Sequence, residues 1–324
     1  MTAISSPSAS VSDLPFASVV VVTRNRARWL AGALDALARQ DYPAYEVVVV
    51  DHSSVDETAE VVAARGYRRV VCPASYGIGR CRQAGVEAAR GAIVAMCDDD
   101  CRPGPDWLRI HAERLCADPG LGLLGGRVVN VGFPEGQRFK GRTRLAGPNG
   151  VLVFSADPAA AEFFGNANVA YRREAIEAVG GYDPFFHAGA EIDLALSFRR
   201  AGYRVDYEPS AVVEHHFTGI DHKSGRVFWS GELMRLYRHL KHSPPRGLRA
   251  WGRFWIDEIG LLGRDLGRVA RAAGSALKRG RPRRLPGVAL ELFNALSARL
   301  AVPWLWWRGR RRRTAVPSTA RGAR

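Results

Sequence analysis

Several common functional motifs are absent from this sequence. No G-x-G-x-x-G follows the first predicted strand, and no G-x-x-x-x-G-K-[ST] occurs in the 324 residues. The first absence argues against a dinucleotide-dependent oxidoreductase, and the second argues against a P-loop NTPase. The five cysteines are odd in number and form no C-x-x-C pair. We therefore expect reduced thiols rather than a disulfide framework or a zinc site.

The amino terminus lacks the basic start and the apolar stretch of a signal peptide. Residues 1–15 are rich in serine and small side chains and are predicted to be a disordered leader. Together with the reduced cysteines, this leads us to expect a cytoplasmic protein.

Acidic residues are scarce in the last quarter of the chain. Residues 241–324 contain 20 Lys or Arg and only 4 Asp or Glu, whereas residues 1–240 contain 27 and 28. The net charge of +15 therefore belongs to the carboxyl-terminal region. A basic segment on a nearly neutral body is typical of attachment to anionic lipid or to nucleic acid.

Short apolar runs alternate with amphipathic segments over the first hundred residues. Strands are predicted at 17–23, 46–51, 67–72 and 92–97, and helices lie between them. Strands that are apolar throughout are typical of a parallel sheet covered on both faces. The sequence thus predicts an α/β fold with a mostly parallel open sheet. Further strands are predicted near 203–207 and 211–214.

Polar residues follow three of these strands, at 23–25, 51–53 and 98–100. Ligands of open α/β sheets bind beyond the carboxyl ends of the strands, so we expect these clusters to converge. The run Asp98-Asp99-Asp100 could hold a hard divalent ion, because Mg²⁺ is commonly bound by one or two carboxylates together with substrate phosphates. A solvated acidic turn is the alternative for such a run.

Six segments in this order resemble glycosyltransferase family 2. They are VVVVTRNR (19–26), VVVVDHSSVDET (47–58), YGIGRCRQAG (76–85), AIVAMCDDDCRPGPDWL (92–108), GGYDPFF (180–186) and GAEIDLALSFRRAG (189–202). The resemblance implies a GT-A fold, with a Rossmann-like nucleotide-binding half and an acceptor half, over residues 16–235. It also implies an inverting transfer of sugar from a nucleoside diphosphate sugar to an acceptor hydroxyl. A divalent ion, Mg²⁺ or Mn²⁺, is implied as the cofactor.

The resemblance also implies roles for particular residues. Glu191 lies where the family carries its catalytic base, and Asp193 is a second candidate for that role. Asp100 is implied as the metal ligand, with Asp98 and His215, or alternatively His216, beside it. The residues implied to bind the donor are Thr23, Arg24, Asn25, Asp51, Arg82, Asp98 and Asp99.

Residues 236–324 are predicted to form a basic, amphipathic carboxyl-terminal region. Apolar and aromatic residues recur at helical spacing in 248–271 with arginines between them, and a further apolar stretch at 285–307 precedes RGRRRR. Charged residues and prolines interrupt that stretch, which disfavours a spanning helix. This pattern fits a helix at the inner face of the cell membrane. Packing of 248–271 on the catalytic domain is the alternative.

The sequence therefore favours a metal-dependent glycosyltransferase acting in cell-envelope polysaccharide, glycolipid or secondary-metabolite glycosylation, with a rhamnosyltransferase among the options. A sugar-nucleotide pyrophosphorylase is one alternative, although the glycine-rich loop of that class is absent after the first strand. A nucleic-acid-binding protein would explain the arginines but not the acidic residues. We expect a sugar nucleotide and a hydroxyl acceptor as ligands, with no nucleic acid.

Overall fold

The computed structural model describes residues 14–133, 142–145, 152–154, 162–186, 189–216, 218, 225–278, 293 and 296–314. The predicted leader lies outside the described residues except for its last two positions, where Leu14 is buried against the sheet.

Within the described residues, eight strands form one sheet and three form a smaller one. The large sheet consists of β1 Ala17–Thr23, β2 Tyr45–Asp51, β3 Arg68–Val71, β4 Ile93–Asp98, β5 Cys101–Pro103, β6 Leu121–Val131, β10 Val169–Arg172 and β11 Arg204–His216. The small sheet consists of β7 Arg142–Leu145, β8 Leu152–Phe154 and β9 Phe163–Phe164. The order in the large sheet is β3-β2-β1-β4-β10-β6-β11-β5. Most neighbours are parallel, but β10 runs antiparallel to β4 and β6, and β5 runs antiparallel to β11.

Helices cover both faces of this sheet. They are α1 Ala27–Leu37, α2 Thr58–Ala63, α3 Ile78–Ala88, α4 Trp107–Ala117, α5 Arg173–Ala178, α6 Ala190–Arg200, α7 Gly225–His242, α8 Leu248–Lys278 and α9 Val302–Thr314. Side chains of α1, α2 and α4 form the core on one face. Those of α3, α5 and α6 form the core on the other, and α7, α8 and α9 extend this second layer.

The valine run of β1 shows why the strands are apolar throughout. Val19 and Val21 belong to one core and Val20 to the other, because successive side chains of a strand point to opposite faces. All three are fully buried. A fully buried side chain of this size contributes roughly 1.5–3 kcal/mol relative to an exposed one.

Two predictions differ from the structure. The strands predicted at 203–207 and 211–214 are one strand, β11, whose register shifts between Glu208 and Val212. Pro209 lies in this bulge, where its missing N–H does not interrupt a ladder. The domain boundary predicted between residues 235 and 236 falls inside α7.

Candidate active site

The structure brings the polar strand ends together at one edge of the large sheet. Thr23 is paired in register with Asp51 on β2, and Val22 is paired with Asp98 on β4. Because these strands are parallel and adjacent, the residues that follow them share the crevice at their carboxyl ends. The acidic run 98–100 is therefore next to the end of β1.

Asp99 is the most deeply buried member of the acidic run. Its carboxylate accepts a hydrogen bond from Thr23 Oγ1 at 2.7 Å and pairs with Arg26 Nη1 at 2.8 Å. Burial raises the pKa of Asp99 to about 7, and the charge of Arg26 and the Thr23 hydrogen bond offset this only in part. Arg26 is therefore the main group that favours the ionised form of this carboxyl.

Asp100 lies between a guanidinium and an imidazole. Arg26 Nη2 donates to Asp100 Oδ2 at 2.7 Å, and His215 Nε2 is 3.4 Å from Asp100 Oδ1. Burial alone would raise the pKa of Asp100, but His215 and Arg26 outweigh it and lower the pKa to about 2. This carboxyl is therefore ionised at neutral pH.

A short strand explains why His215 is next to Asp100. β5 begins directly after the acidic run and pairs with the end of β11, with Cys101 opposite His215. The N–H of His216 donates to the carbonyl of Asp100 at 3.0 Å. Two residues more than a hundred positions apart are thereby fixed beside each other by backbone pairing. The side chain of His216 instead lies 3.4 Å from Glu214, so His215 is the one of the two predicted histidines whose side chain lies beside Asp100.

The group formed by Asp100, Cys101 and His215 can accommodate a metal ion. One potential ligand atom from each residue lies within 4.8 Å of the others. Burial raises the pKa of the Cys101 thiol well above its ordinary value, so this thiol is protonated when no ion is bound beside it. A carboxylate with an imidazole suits Mn²⁺, whereas Mg²⁺ prefers oxygen ligands alone. Asp100 and His215 therefore fit a divalent ion such as Mn²⁺.

Arg82 connects the acidic run to Glu191. Its Nη2 is 3.6 Å from Asp98 Oδ1, and its Nη1 is 3.6 Å from Glu191 Oε2. Both contacts are ion pairs rather than hydrogen bonds at this distance. The side chain is mostly buried, so Arg82 is not a surface arginine.

Gly79 permits this arrangement by allowing α3 to approach the start of α6. A Cβ at this position would lie 2.6 Å from the carbonyl oxygen of Phe186 and 3.3 Å from Cβ of Ala190. The glycine therefore serves a close contact between two protein segments, and this contact places Arg82 near Glu191.

Glu191 lies in the first turn of α6, with its side chain mostly but not fully buried. Its Oε2 is buried and has no hydrogen-bond partner among the described residues. A buried carboxylate oxygen without a donor is costly unless a ligand or water supplies one. Glu191 is therefore positioned to accept a hydrogen bond from a group that enters the crevice.

Asp193 is placed differently and is not available as a base. Its Oδ2 pairs with Lys241 Nζ at 2.6 Å, and its Oδ1 is 2.7 Å from His242 Nε2. The side chain is fully buried, and although burial would raise the pKa of Asp193, Lys241 and His242 lower it to about 2. With both oxygens taken by α7, this carboxylate joins two helices. The structure thus argues against the second candidate base.

The two donor-binding residues predicted directly after β1 are both exposed. They are Arg24 and Asn25, and Asn25 has a left-handed backbone with φ of 52°. The N–H of Asn25 donates to Ser54 Oγ at 2.9 Å, and Asn25 Oδ1 accepts from the N–H of Val55 at 2.8 Å. Asn25 therefore connects the loops that follow β1 and β2.

Asp51 is fixed by its own loop and by β3. Its Oδ1 accepts from the N–H of Ser54 at 2.8 Å, and its Oδ2 pairs with Arg69 Nε at 3.0 Å. The carboxylate is almost fully buried, whereas the arginine is half-exposed. The orientation of Asp51 is thus set before any ligand binds.

Sequence reasoning missed three groups that contact these residues. They are Arg26 on the acidic run, Arg69 on Asp51, and the pair Lys241 and His242 on Asp193. The signal for Arg26 was available, because it belongs to the same TRNR segment as Thr23 and Asn25. No comparable signal marked Lys241, which lies 48 residues from its partner.

Similarity to known proteins identifies the family of this chain. The Glycosyl transferase family 2 model matches residues 18–180. The chain is also 35% identical over 292 residues to the succinoglycan biosynthesis protein ExoO of Rhizobium meliloti, covering 82% of each protein. This chain belongs to glycosyltransferase family 2.

A second relative is the glycosyltransferase AglE of Haloferax volcanii. It is 26% identical over 215 residues, which cover 63% of this chain and 68% of AglE. Among solved structures, the mannosyltransferase PcManGT of Pyrobaculum calidifontis in complex with GDP-Man and Mn²⁺ superimposes with a TM-score of 0.52. It is 19% identical and covers 91% of this chain and 88% of its own. This likeness confirms the predicted GT-A fold.

The carboxyl-terminal region has no span long and apolar enough to cross a bilayer, as far as the described helices go.

Proposed function

We propose that this glycosyltransferase moves a sugar from a nucleoside diphosphate sugar to an acceptor hydroxyl with inversion, and that Glu191 is the general base. The observation that carries the proposal is the position of Glu191 Oε2. It is buried, has no hydrogen-bond partner within the described part of the chain, and is 3.6 Å from the arginine that also contacts Asp98. A base at the edge of the donor crevice is what direct displacement requires.

In the proposed reaction, the acceptor oxygen attacks the anomeric carbon while the bond from that carbon to the diphosphate oxygen breaks. Glu191 accepts the proton of the acceptor hydroxyl as the new bond forms. The nucleoside diphosphate leaves with the electron pair and gains negative charge. Because attack and departure occur on opposite faces of the sugar, one displacement inverts the anomeric centre.

Arg82 has two roles in this proposal. Its positive charge beside Glu191 orients the carboxylate toward the crevice, and its contact with Asp98 links the base to the donor side of the site. A fixed cation near the developing charge of the leaving group also stabilises the transition state without reorganisation.

We further propose that Asp100 and His215 hold the divalent ion, with Asp98 as an additional ligand. A bound divalent ion supplies positive charge to the leaving diphosphate. Arg26 holds the carboxylates of Asp99 and Asp100 in place, which keeps the site assembled before the ion and donor arrive. The neighbouring imidazole leads us to favour Mn²⁺ over Mg²⁺.

For the donor, we propose that Asp51, Thr23, Arg24 and Asn25 line the nucleoside side of the crevice and that Asp98 and Asp99 face the ribose and sugar. For the acceptor, we propose a polysaccharide or glycolipid of the cell envelope. The similarity to a succinoglycan biosynthesis protein supports this acceptor class. The sugar is proposed to be a hexose or deoxyhexose, such as rhamnose.

A thermal-shift panel tests donor class and metal dependence together. UDP-, dTDP- and GDP-sugars are each added with Mn²⁺ and then with excess EDTA. We expect one nucleotide class to raise the melting temperature with Mn²⁺, and we expect EDTA to abolish the rise. A shift that persists in EDTA would contradict the role of the ion.

A further inference from the structure

Helix α8 carries a row of apolar side chains at its surface. Its members recur every three or four residues and are Trp255, Ile259, Leu262 and Leu266. Ile259 is 68% exposed, Trp255 and Leu266 are also exposed, and Leu262 is half-buried. Side chains at this spacing share one face of a helix. The row is thus an exposed apolar stripe rather than scattered surface residues.

The side of α8 next to this stripe is firmly attached to the protein. Glu258 is fully buried and binds Arg235 of α7 through both carboxylate oxygens, at 2.8 and 2.7 Å. Arg299 Nε approaches the same carboxylate at 3.2 Å. Phe254 is also buried and stacks on His239. The packing alternative for this region is therefore correct for one side of α8, and the apolar stripe faces outward.

A second apolar stripe follows later in the chain, and its residues Leu296 and Leu300 lie beside the first. Its members recur every three or four residues across a turn at residue 301 and are Phe293, Leu296, Leu300, Trp304 and Trp307. All are exposed, and Leu300 is 83% exposed. Ala298, Val302 and Leu305, which lie between them in sequence, are buried in the core.

The two stripes meet along a groove of about 350 Å³. Trp255, Ile259 and Leu262 line it from α8, and Leu296 and Leu300 line it from the other side. Contiguous exposed apolar surface of this kind marks an interaction site in a protein. We call the two stripes and their groove the apolar face.

Arginines occupy another exposed side of α8. Arg249, Arg253, Arg264 and Arg271 lie about 100° or more around the helix axis from the apolar stripe, and Arg311 of α9 lies 4.2 Å above the ring of Trp307. They belong to the carboxyl-terminal region, which accounts for the net positive charge of the chain. Tryptophan and leucine on one face of a helix with arginine on another fit the boundary between headgroups and acyl chains of an anionic bilayer. Nucleic acid would use the arginines but would leave the leucine and isoleucine side chains in water.

We infer that the apolar face docks this protein on an anionic membrane surface, with both stripes lying in the plane of the interface. The side chains of the stripes would enter the acyl region, and the arginines would contact lipid phosphates. The inference goes beyond the proposed reaction and does not depend on it, because the apolar face and Glu191 lie on different helices.

Helix α9, and helix α7 on which α8 packs, both contact the catalytic unit directly. Arg308 of α9 lies 4.8 Å above the ring of Phe185, and α7 binds Asp193 through Lys241 and His242. A membrane-bound apolar face would therefore fix the orientation of the site relative to the bilayer.

Vesicle flotation of the full chain tests the inference without any sugar nucleotide. We expect the wild-type protein to float with phosphatidylcholine vesicles that contain phosphatidylglycerol, and to bind pure phosphatidylcholine at least tenfold more weakly. Ile259→Glu with Leu300→Glu should lower binding to the anionic vesicles at least tenfold. Val71→Glu, at a 58% exposed position on β3, is the matched control and should bind as the wild type does.

Circular dichroism and the melting temperature of each variant confirm that it folds, as expected for substitutions at exposed positions. Brominated lipid adds a direct readout, because tryptophan at the apolar face should be quenched in the wild type and not in the double variant. Equal flotation of the wild type and the double variant would overturn the inference. So would a wild-type dimer that the double variant converts to monomer, or tight binding to duplex DNA without vesicle binding.

Discussion

Lys241 Nζ lies 2.6 Å from Asp193 Oδ2, and both side chains are almost fully buried. This ion pair joins α7 to α6, the helix that carries Glu191. Lys241 also contacts Asp183 at 3.1 Å, in the segment that precedes α6. The ammonium group of Lys241 thus binds two acidic residues, one within and one just before the helix that carries Glu191.

Removal of that ammonium should destabilise the protein strongly. Lys241→Met leaves two buried carboxylates without their shared partner, and breaking a buried ion pair in this way costs about 3–5 kcal/mol. Urea denaturation measures the change in the free energy of unfolding. Arg246→Met, at an exposed position just after α7, serves as the control and should change little. An equal, small change in both variants would contradict the anchoring role.

The same carboxylate should make stability depend on pH. The pKa of Asp193 is lowered from its ordinary 3.8 to about 2 in the folded protein. The ionised form therefore stabilises the fold above pH 4, and this contribution of about 2 kcal/mol is lost as the pH falls toward 2. Asp193→Asn should remove this part of the pH dependence. The free energy of unfolding is measured at several pH values between 2 and 7, and parallel curves for the wild type and Asp193→Asn would contradict this prediction.

The guanidinium of Arg26 should stabilise the acidic run when no metal ion is bound. Arg26→Met leaves Asp99 and Asp100 without the guanidinium that now pairs with both. In EDTA, we expect the free energy of unfolding to fall by about 1–3 kcal/mol, because two buried carboxylates lose their shared donor. Mn²⁺ should then raise the melting temperature more in this variant than in the wild type. Arg28→Met, at an exposed position on α1, is the control. Identical Mn²⁺ shifts in the wild type and Arg26→Met would argue against this role.

Two adjacent histidines provide a matched test of the metal site. His215 approaches Asp100, whereas the side chain of His216 lies beside Glu214. His215→Ala should weaken Mn²⁺ binding by about tenfold or more, and His216→Ala should leave it nearly unchanged. Isothermal titration calorimetry with Mn²⁺ measures both. Equal affinities in the two variants would remove His215 from the ligand set.

The local features of the site could be predicted because they follow strand ends. Apolar runs predict parallel strands, and the polar residues after them must share one edge of the sheet, which places Thr23, Asp51 and Asp98 together. The same logic cannot find β10, because Val169–Arg172 is a four-residue antiparallel strand inserted between β4 and β6 without a helical crossover. Short runs of this kind carry too little periodicity to be recognised.

Contacts between distant segments escaped prediction for a different reason. Asp193 looks like an available acid in the sequence, and only the packing of α7 shows that Lys241 and His242 occupy it. Likewise, the spacing of apolar residues in α8 predicts an amphipathic helix but cannot say which side is covered. The buried pair of Glu258 and Arg235 decides that question.

Replacement of Glu191 by Gln is the most direct test of the proposed reaction. The amide keeps the shape of the side chain but cannot accept the proton, so the transfer rate should fall by about 100- to 10,000-fold. The dissociation constant of the donor, measured by calorimetry with Mn²⁺, should stay close to that of the wild type. Glu174→Gln, at an exposed position on α5, should leave both quantities unchanged. Transfer at the wild-type rate by Glu191→Gln, or a loss of donor binding equal to its loss of rate, would contradict the assignment of Glu191 as the base.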